Sequence, residues 1–192
     1  AFFMDKLNNA IKESKNMNKR CAVIFIDLDD FKRINDTLGH SYGDELLKII
    51  GVLLRICAKD PESVARTGGD EFSVILNNVS DANEVSCYCE KIVNLFKIPL
   101  EIWEKHIYSS ASIAAAVFPD DGDDADSILK NVDVAMHKVK ESGKNKYIFY
   151  NNSMRDELLR RAEIDRALRD ALAGNEFNIY YQPQVDIKTG RI

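Results

Sequence analysis

The chain alternates between two hydrophobic periods, and polar breaks mark most of the changes. Phe3, Leu7, Ala10 and Ile11 recur at helical spacing, which predicts an amphipathic helix over residues 2–15. Asn16–Arg20 is polar and interrupts it. Cys21–Ile26 is then apolar throughout, short and partly β-branched, the pattern of a strand buried on both faces. It ends on Asp27-Leu28-Asp29-Asp30 and hands over to a helix start at Phe31-Lys32-Arg33-Ile34-Asn35-Asp36. Acids at a helix start suit its dipole, which accounts for Asp29 and Asp30. Asp27 closes the strand before a helix can begin, and the dipole does not explain it.

Thr37–Asp44 contains Gly39 and Gly43 and is predicted to be a loop. It leads into a second helix whose Leu46, Leu47, Ile50, Leu53, Leu54 and Cys57 form a wide apolar face ended by Asp60-Pro61. In Ser63–Leu76 two β-type runs flank Gly68-Gly69-Asp70-Glu71, predicting a hairpin with two carboxylates at its tip and glycines in left-handed backbone. Ser80–Glu84 supplies a cap for a helix with Val85, Cys89, Ile92 and Phe96 inward. Strands are expected over 100–108 and 109–118, then a turn at Pro119–Asp124 whose acids lack EF-hand spacing. Ile128, Val132, Ala135 and Val139 mark a further helix, and Tyr147–Tyr150 a last strand.

Asn151–Ser153 looks like a linker. Beyond it Leu158, Ala162, Ile164, Leu168 and Leu172 line a charged helix over 156–173, followed by an expected strand at Phe177–Gln182 and a turn near Thr189-Gly190. A segment of about forty residues with one helix and one strand cannot bury its own core. The expected organisation is therefore one domain over 1–152 and the opening of a second over 153–192.

Composition narrows the function. Of 192 residues, 45% are apolar and 30% charged, as in ordinary globular domains. The net charge of −5 gives no general field for nucleic acid or an anionic membrane. No apolar run approaches the roughly 18 residues of a spanning helix, and no signal-peptide pattern opens the sequence. Cys21, Cys57, Cys87 and Cys89 show no metal-ligand spacing and read as reduced thiols, so a cytoplasmic chain without membrane contact is expected.

Adjacent acids at a hairpin tip repel each other, and a divalent cation removes that cost. The alternative is a solvated acidic turn. A second acid at a strand end, Asp27, favours the cation. Carboxylates for Mg²⁺ together with Lys32, Lys140 and Lys144 in or near loops suit a nucleoside triphosphate, whose phosphate charge metal and lysines would share. Asn35 and Asp44 lie beside glycines. An aspartate accepts from the N1–H and N2–H₂ edge of guanine and is repelled by N1 of adenine, which makes guanine the sharper expectation.

These motifs together resemble the GGDEF-domain diguanylate cyclases. The similarity is carried by Asp27–Asp36, by Gly39-His40 with Gly43-Asp44, by Ala65–Phe72 and by Val132–Asn145, and it covers about residues 1–150. Asn178–Ile192 is similar to the opening of an EAL phosphodiesterase domain and stops before that family's signature triplet. The resemblance implies an α+β fold, a mostly antiparallel central sheet surrounded by helices as in nucleotidyl cyclases and polymerase palms. It implies condensation of two GTP into cyclic di-GMP with release of pyrophosphate. By position, Asp27, Asp70 and the Leu28 carbonyl would hold Mg²⁺ (Mn²⁺ also fits). Glu71 would be a base at the 3′-hydroxyl or a metal ligand, Gly68 and Gly69 would admit the α-phosphate, Asn35 and Asp44 would read guanine, and Lys32, Lys140 and Lys144 would bind phosphates. One domain binds one GTP, so a homodimer is implied, with an upstream sensor and a downstream EAL domain.

The sequence departs from the family pattern in places. Ala114 replaces a usual glycine, His137 a usual tyrosine, and Lys144 a usual arginine, which keeps the charge but loses a bidentate fork. Lys59-Asp60-Pro61-Glu62 stands where the family's product-inhibition motif has its arginine. The second function expected from the resemblance is a catalytically silent GTP-binding module that regulates an adjoining phosphodiesterase.

Overall fold

The computed structural model describes residues 2–190. It divides into two compact units, Ala1–Arg155 and Asp156–Ile192. The first is a mixed α+β domain whose five-stranded sheet has the order β2-β3-β1-β6-β7. β1 (Arg20–Leu28) is central and antiparallel to both β3 (Glu71–Val79) and β6 (Ala111–Phe118). β2 (Val64–Arg66) is antiparallel to β3, while β7 (Lys146–Phe149) runs parallel to β6. The sheet is thus mostly antiparallel, with one parallel edge.

The two-residue period of β1 sorts the core. Ala22, Ile24, Ile26 and Leu28 face one side, where they pack with Leu46, Leu47, Ile50 and Leu54 of α3 (His40–Cys57) and Val85, Cys89 and Ile92 of α4 (Ala82–Leu95). Cys21 and Val23 face the other, against Leu7, Ala10 and Ile11 of α1 (Phe2–Met17) and Ile128, Val132 and Ala135 of α5 (Ala125–Glu141). This is the both-faces-covered strand that the unbroken apolar run predicts. Asp81 caps α4 by accepting from the Glu84 N–H, and Asp124 and Ser127 close a capping box on α5.

Four expectations need correction. Thr37–Asp44 is mostly helical: α2 (Phe31–Leu38) and α3 are separated by Gly39 alone, whose φ of 93° only glycine adopts without strain. The segment 100–108 is a small hairpin, β4 (Leu100–Ile102) with β5 (Lys105–Ile107), turned through Trp103 and Glu104 in left-handed backbone. The supposed linker is already helical, since α6 spans Asn152–Ala173. No strand forms over 177–182, although the turn near Thr189 is present, with Asp186 accepting from the N–H groups of Lys188 and Thr189.

Candidate active site

Strand register brings the acids together. Asp27 lies on the α5 side of β1, with Glu71 as its cross-strand partner on β3 and Ser112 on β6. The Leu28 N–H donates to the Asp70 carbonyl at 3.2 Å, which ties the end of β1 to the hairpin tip. Asp27 is 8% exposed, and its Oδ2 accepts from Lys140 Nζ, near the end of α5, at 2.7 Å. Burial pushes the Asp27 carboxyl above its ordinary range. The Lys140 contact pulls it back, and the charges of Asp70 and Asp29 push it further up.

A cation at this end of the sheet would relieve that repulsion. Among the described residues no three His, Cys, Asp or Glu side chains form a ready cage. Mg²⁺ does not need one: it takes one or two carboxylates and leaves its other positions to water and phosphate. Two carboxylates and the Leu28 carbonyl are hard oxygen donors of that kind, so the residues present fit the ion.

At the tip, Gly68 and Gly69 are not in left-handed backbone, contrary to expectation. A Cβ on Gly68 would stand 2.5 Å from Oε2 of the folded-back Glu71 side chain, a contact that this exposed carboxylate can relieve by turning away. A Cβ on Gly69 would meet nothing within 4 Å, so that side of the tip is open to a ligand. The tip is held by Arg66, whose Nε and Nη2 donate to the Gly69 carbonyl at 3.0 and 2.7 Å. The sequence gives no cue to this role of Arg66 beyond its place three residues before Gly69.

Asn35 and Asp44 lie on adjacent helices, α2 and α3. Gly43 lets them approach, since a Cβ there would stand 1.9 Å from Asn35 Oδ1. That oxygen is buried without a hydrogen-bond partner, whereas Asp44 is exposed. Lys32 is exposed one helical turn before Asn35. Lys144 occupies the turn after α5 and donates to Asp30 Oδ1 at 2.8 Å, which raises its own pKa and lowers that of Asp30. Asp30 is the N-cap position of α2 and makes no side-chain cap, while its carbonyl accepts from the Arg33 N–H at 2.9 Å.

The departures lie to the side. Ala114 is fully buried opposite Phe25, and His137 is exposed beside Glu141. Lys59 is paired with Glu84, and Lys6 holds Glu62. A cavity of about 350 Å³ lies there, between the end of α3, β3 and α4.

Fold and site together define a nucleotidyl-cyclase type of domain, and the chain belongs to the GGDEF family: residues 1–146 match the family described as diguanylate cyclase, GGDEF domain. It is 35% identical over 181 residues to the bifunctional diguanylate cyclase/cyclic di-GMP phosphodiesterase MucR of Pseudomonas aeruginosa, covering 94% of this chain and 26% of MucR. It is 32% identical over 190 residues to the cyclic di-GMP phosphodiesterase NbdA of the same organism, covering 99% of this chain and 24% of NbdA. The chain thus spans about a quarter of the length of these relatives. The GGDEF domain of YfiN (TpbB) from P. aeruginosa superposes with a TM-score of 0.79 at 30% identity, covering 82% of this chain and 92% of that one. The active GGEEF domain of a Vibrio cholerae diguanylate cyclase gives 0.70 at 28%, covering 78% and 95%.

Proposed function

We propose that this domain is a diguanylate cyclase, joining two GTP into cyclic di-GMP with release of pyrophosphate. The observation that carries the reading is the Leu28 N–H bond to the Asp70 carbonyl, which ties the strand end carrying Asp27 to the hairpin tip, with Lys140 on Asp27 and an open face at Gly69. Asp27, Asp70 and the Leu28 carbonyl hold Mg²⁺ or Mn²⁺, which when bound neutralises the triphosphate and polarises the α-phosphoryl group. Asn35 and Asp44 bind the guanine edge. Lys32, Lys140 and Lys144 take the phosphates, with Lys140 and Lys144 leaving the acids they hold in the free protein. Glu71 sits where the 3′-hydroxyl of the second GTP arrives and accepts its proton or completes the metal shell. Each oxygen attacks the α-phosphorus of the opposite nucleotide and pyrophosphate leaves.

One domain binds one GTP, so the reaction requires a homodimer facing across two half-sites. Residues 1–152 form the cyclase domain, and 153–192 form the linker helix and the opening of an EAL domain. In the whole protein a sensor precedes it, and the setting is cytoplasmic signal transduction. The names of NbdA and of PdeR of Escherichia coli, both cyclic di-GMP phosphodiesterases, favour a second reading: a GTP-binding module that regulates a phosphodiesterase. Incubation with GTP and Mg²⁺ over a range of protein concentrations, with products separated by chromatography, decides between them. Cyclase activity gives cyclic di-GMP at a rate per protomer that rises with concentration. Saturable GTP binding without product at any concentration supports the regulatory reading.

A further inference from the structure

Asp29 is the acid that the helix-dipole explanation dismisses, yet its carboxylate is more fully engaged than any other at this end of the sheet. It is 6% exposed. Its Oδ1 accepts from Ser112 Oγ at 2.6 Å, and its Oδ2 from Ser110 Oγ at 2.6 Å and from the backbone N–H of Asn145 at 3.1 Å. Its own N–H donates to the Ser110 carbonyl at 2.9 Å. A carboxylate offers about four acceptor positions, and three are filled here by donors from two separate segments. Asp29 is therefore committed to the protein, which leaves metal binding to Asp27 and Asp70.

What Asp29 holds is unusual backbone. Gly143, Lys144 and Asn145 have φ values of 107°, 59° and 48°, three left-handed residues in a row, two of them not glycine. Such a conformation persists only where its surroundings enforce it. The Lys144 N–H is held by the Val139 carbonyl at 3.2 Å and the Asn145 N–H by Asp29. Between those two contacts the Lys144 side chain is aimed back at the end of β1, where it meets Asp30.

We infer that Asp29 is a positioning residue for the triphosphate: it fixes the left-handed turn so that Lys144 stays over the phosphate end of the site. The inference rests on the GTP-binding reading above. Asp29 touches neither nucleotide nor metal and acts through Lys144. Its loss therefore weakens what the phosphates contribute and spares what the base contributes.

The test compares two probes by calorimetry in the presence of Mg²⁺: a GTP analogue with a methylene bridge between the α- and β-phosphorus, and guanosine. Asp29→Asn should weaken the analogue about tenfold, the scale of one charged hydrogen bond, and leave guanosine unchanged. In a Lys144→Ala background the same substitution should have no further effect on the analogue. Equal weakening of both probes, or the same tenfold loss without Lys144, overturns the inference and leaves the functional reading standing. A wild-type protein that binds neither probe overturns the functional reading and this inference with it. Should Asp29→Asn fail to fold, Ser110→Ala removes one donor from the same carboxylate oxygen. It should show a smaller loss confined to the analogue, and an unselective loss counts against the role.

Discussion

The Lys140 ammonium stands 2.7 Å from Oδ2 of Asp27, so in the free protein a lysine neutralises a carboxylate assigned to the metal. Lys140 is 43% exposed and the Asp27 side chain only 12%, so the lysine can swing outward while the acid cannot. On the proposed function, a cation and the lysine would compete for one oxygen until a triphosphate offered the lysine another partner. Lys140→Met should therefore bind Mn²⁺ more tightly without nucleotide and bind GTP at least about tenfold more weakly, given the usual strength of charged hydrogen bonds. Titrations of the two ligands check this. A variant with both affinities unchanged would separate Lys140 from the site.

The carboxyl of Asp27 gives a pH signature. Its pKa is raised in the fold above the ordinary 3.8, chiefly by burial. A group raised in this way favours the folded state while protonated, and that contribution is lost as pH climbs through the folded pKa. Asparagine does not titrate. Without metal, the stability of Asp27→Asn relative to wild type should therefore increase as pH rises above about 4 and then level off. Urea titrations at a series of pH values measure it, and a pH-independent difference would remove burial as the cause.

Gly43→Ala tests the α2–α3 seam. A methyl group placed 1.9 Å from Asn35 Oδ1 must displace that side chain. Overpacking of this kind costs about 1–3 kcal/mol in stability. If Asn35 reads guanine, discrimination between GTP and ATP should fall as well. Thermal melts and competition binding report the two effects separately. Lower stability with unchanged discrimination would count against Asn35.

Product should bind poorly at Lys59–Glu62. Lys59 is paired with Glu84, and Lys6 holds the side chain and carbonyl of Glu62, so a ligand would have to displace these pairs. A lysine also lacks the planar paired donors of arginine. Calorimetry should detect no tight cyclic di-GMP binding that Lys59→Ala removes.

Much of this was legible in the chain. The unbroken Cys21–Ile26 run announced a doubly covered strand, and the acids that close one strand and tip a hairpin are brought together by the register of β1 and β3. What was not legible depends on contacts between distant segments. Asp29 looks like a helix-start acid until Ser110, Ser112 and Asn145 are brought to it from over eighty residues away. The two glycines of the tip suggested left-handed turns, but neither has positive φ, and a Cβ on Gly69 would meet nothing within 4 Å. Gly39 and Gly43 suggested a loop because both weaken helices. Only Gly39 breaks one, and Gly43 is kept for the approach of Asn35.

The central claim is that Asp70 holds the metal at which two GTP molecules are joined, and Asp70→Asn tests it most directly. The amide keeps the shape of the tip and the Leu28 contact, which uses the backbone carbonyl, so the fold should survive. Initial rates of cyclic di-GMP formation from GTP and Mg²⁺ would be compared with wild type at equal concentration, with a dimerising coiled coil fused before Ala1 in both. A lost carboxylate ligand removes several kcal/mol of transition-state stabilisation, so turnover should fall below detection. An Asp70→Asn protein that keeps more than about a tenth of the wild-type rate, a loss under about 1.4 kcal/mol, would contradict the metal role of Asp70.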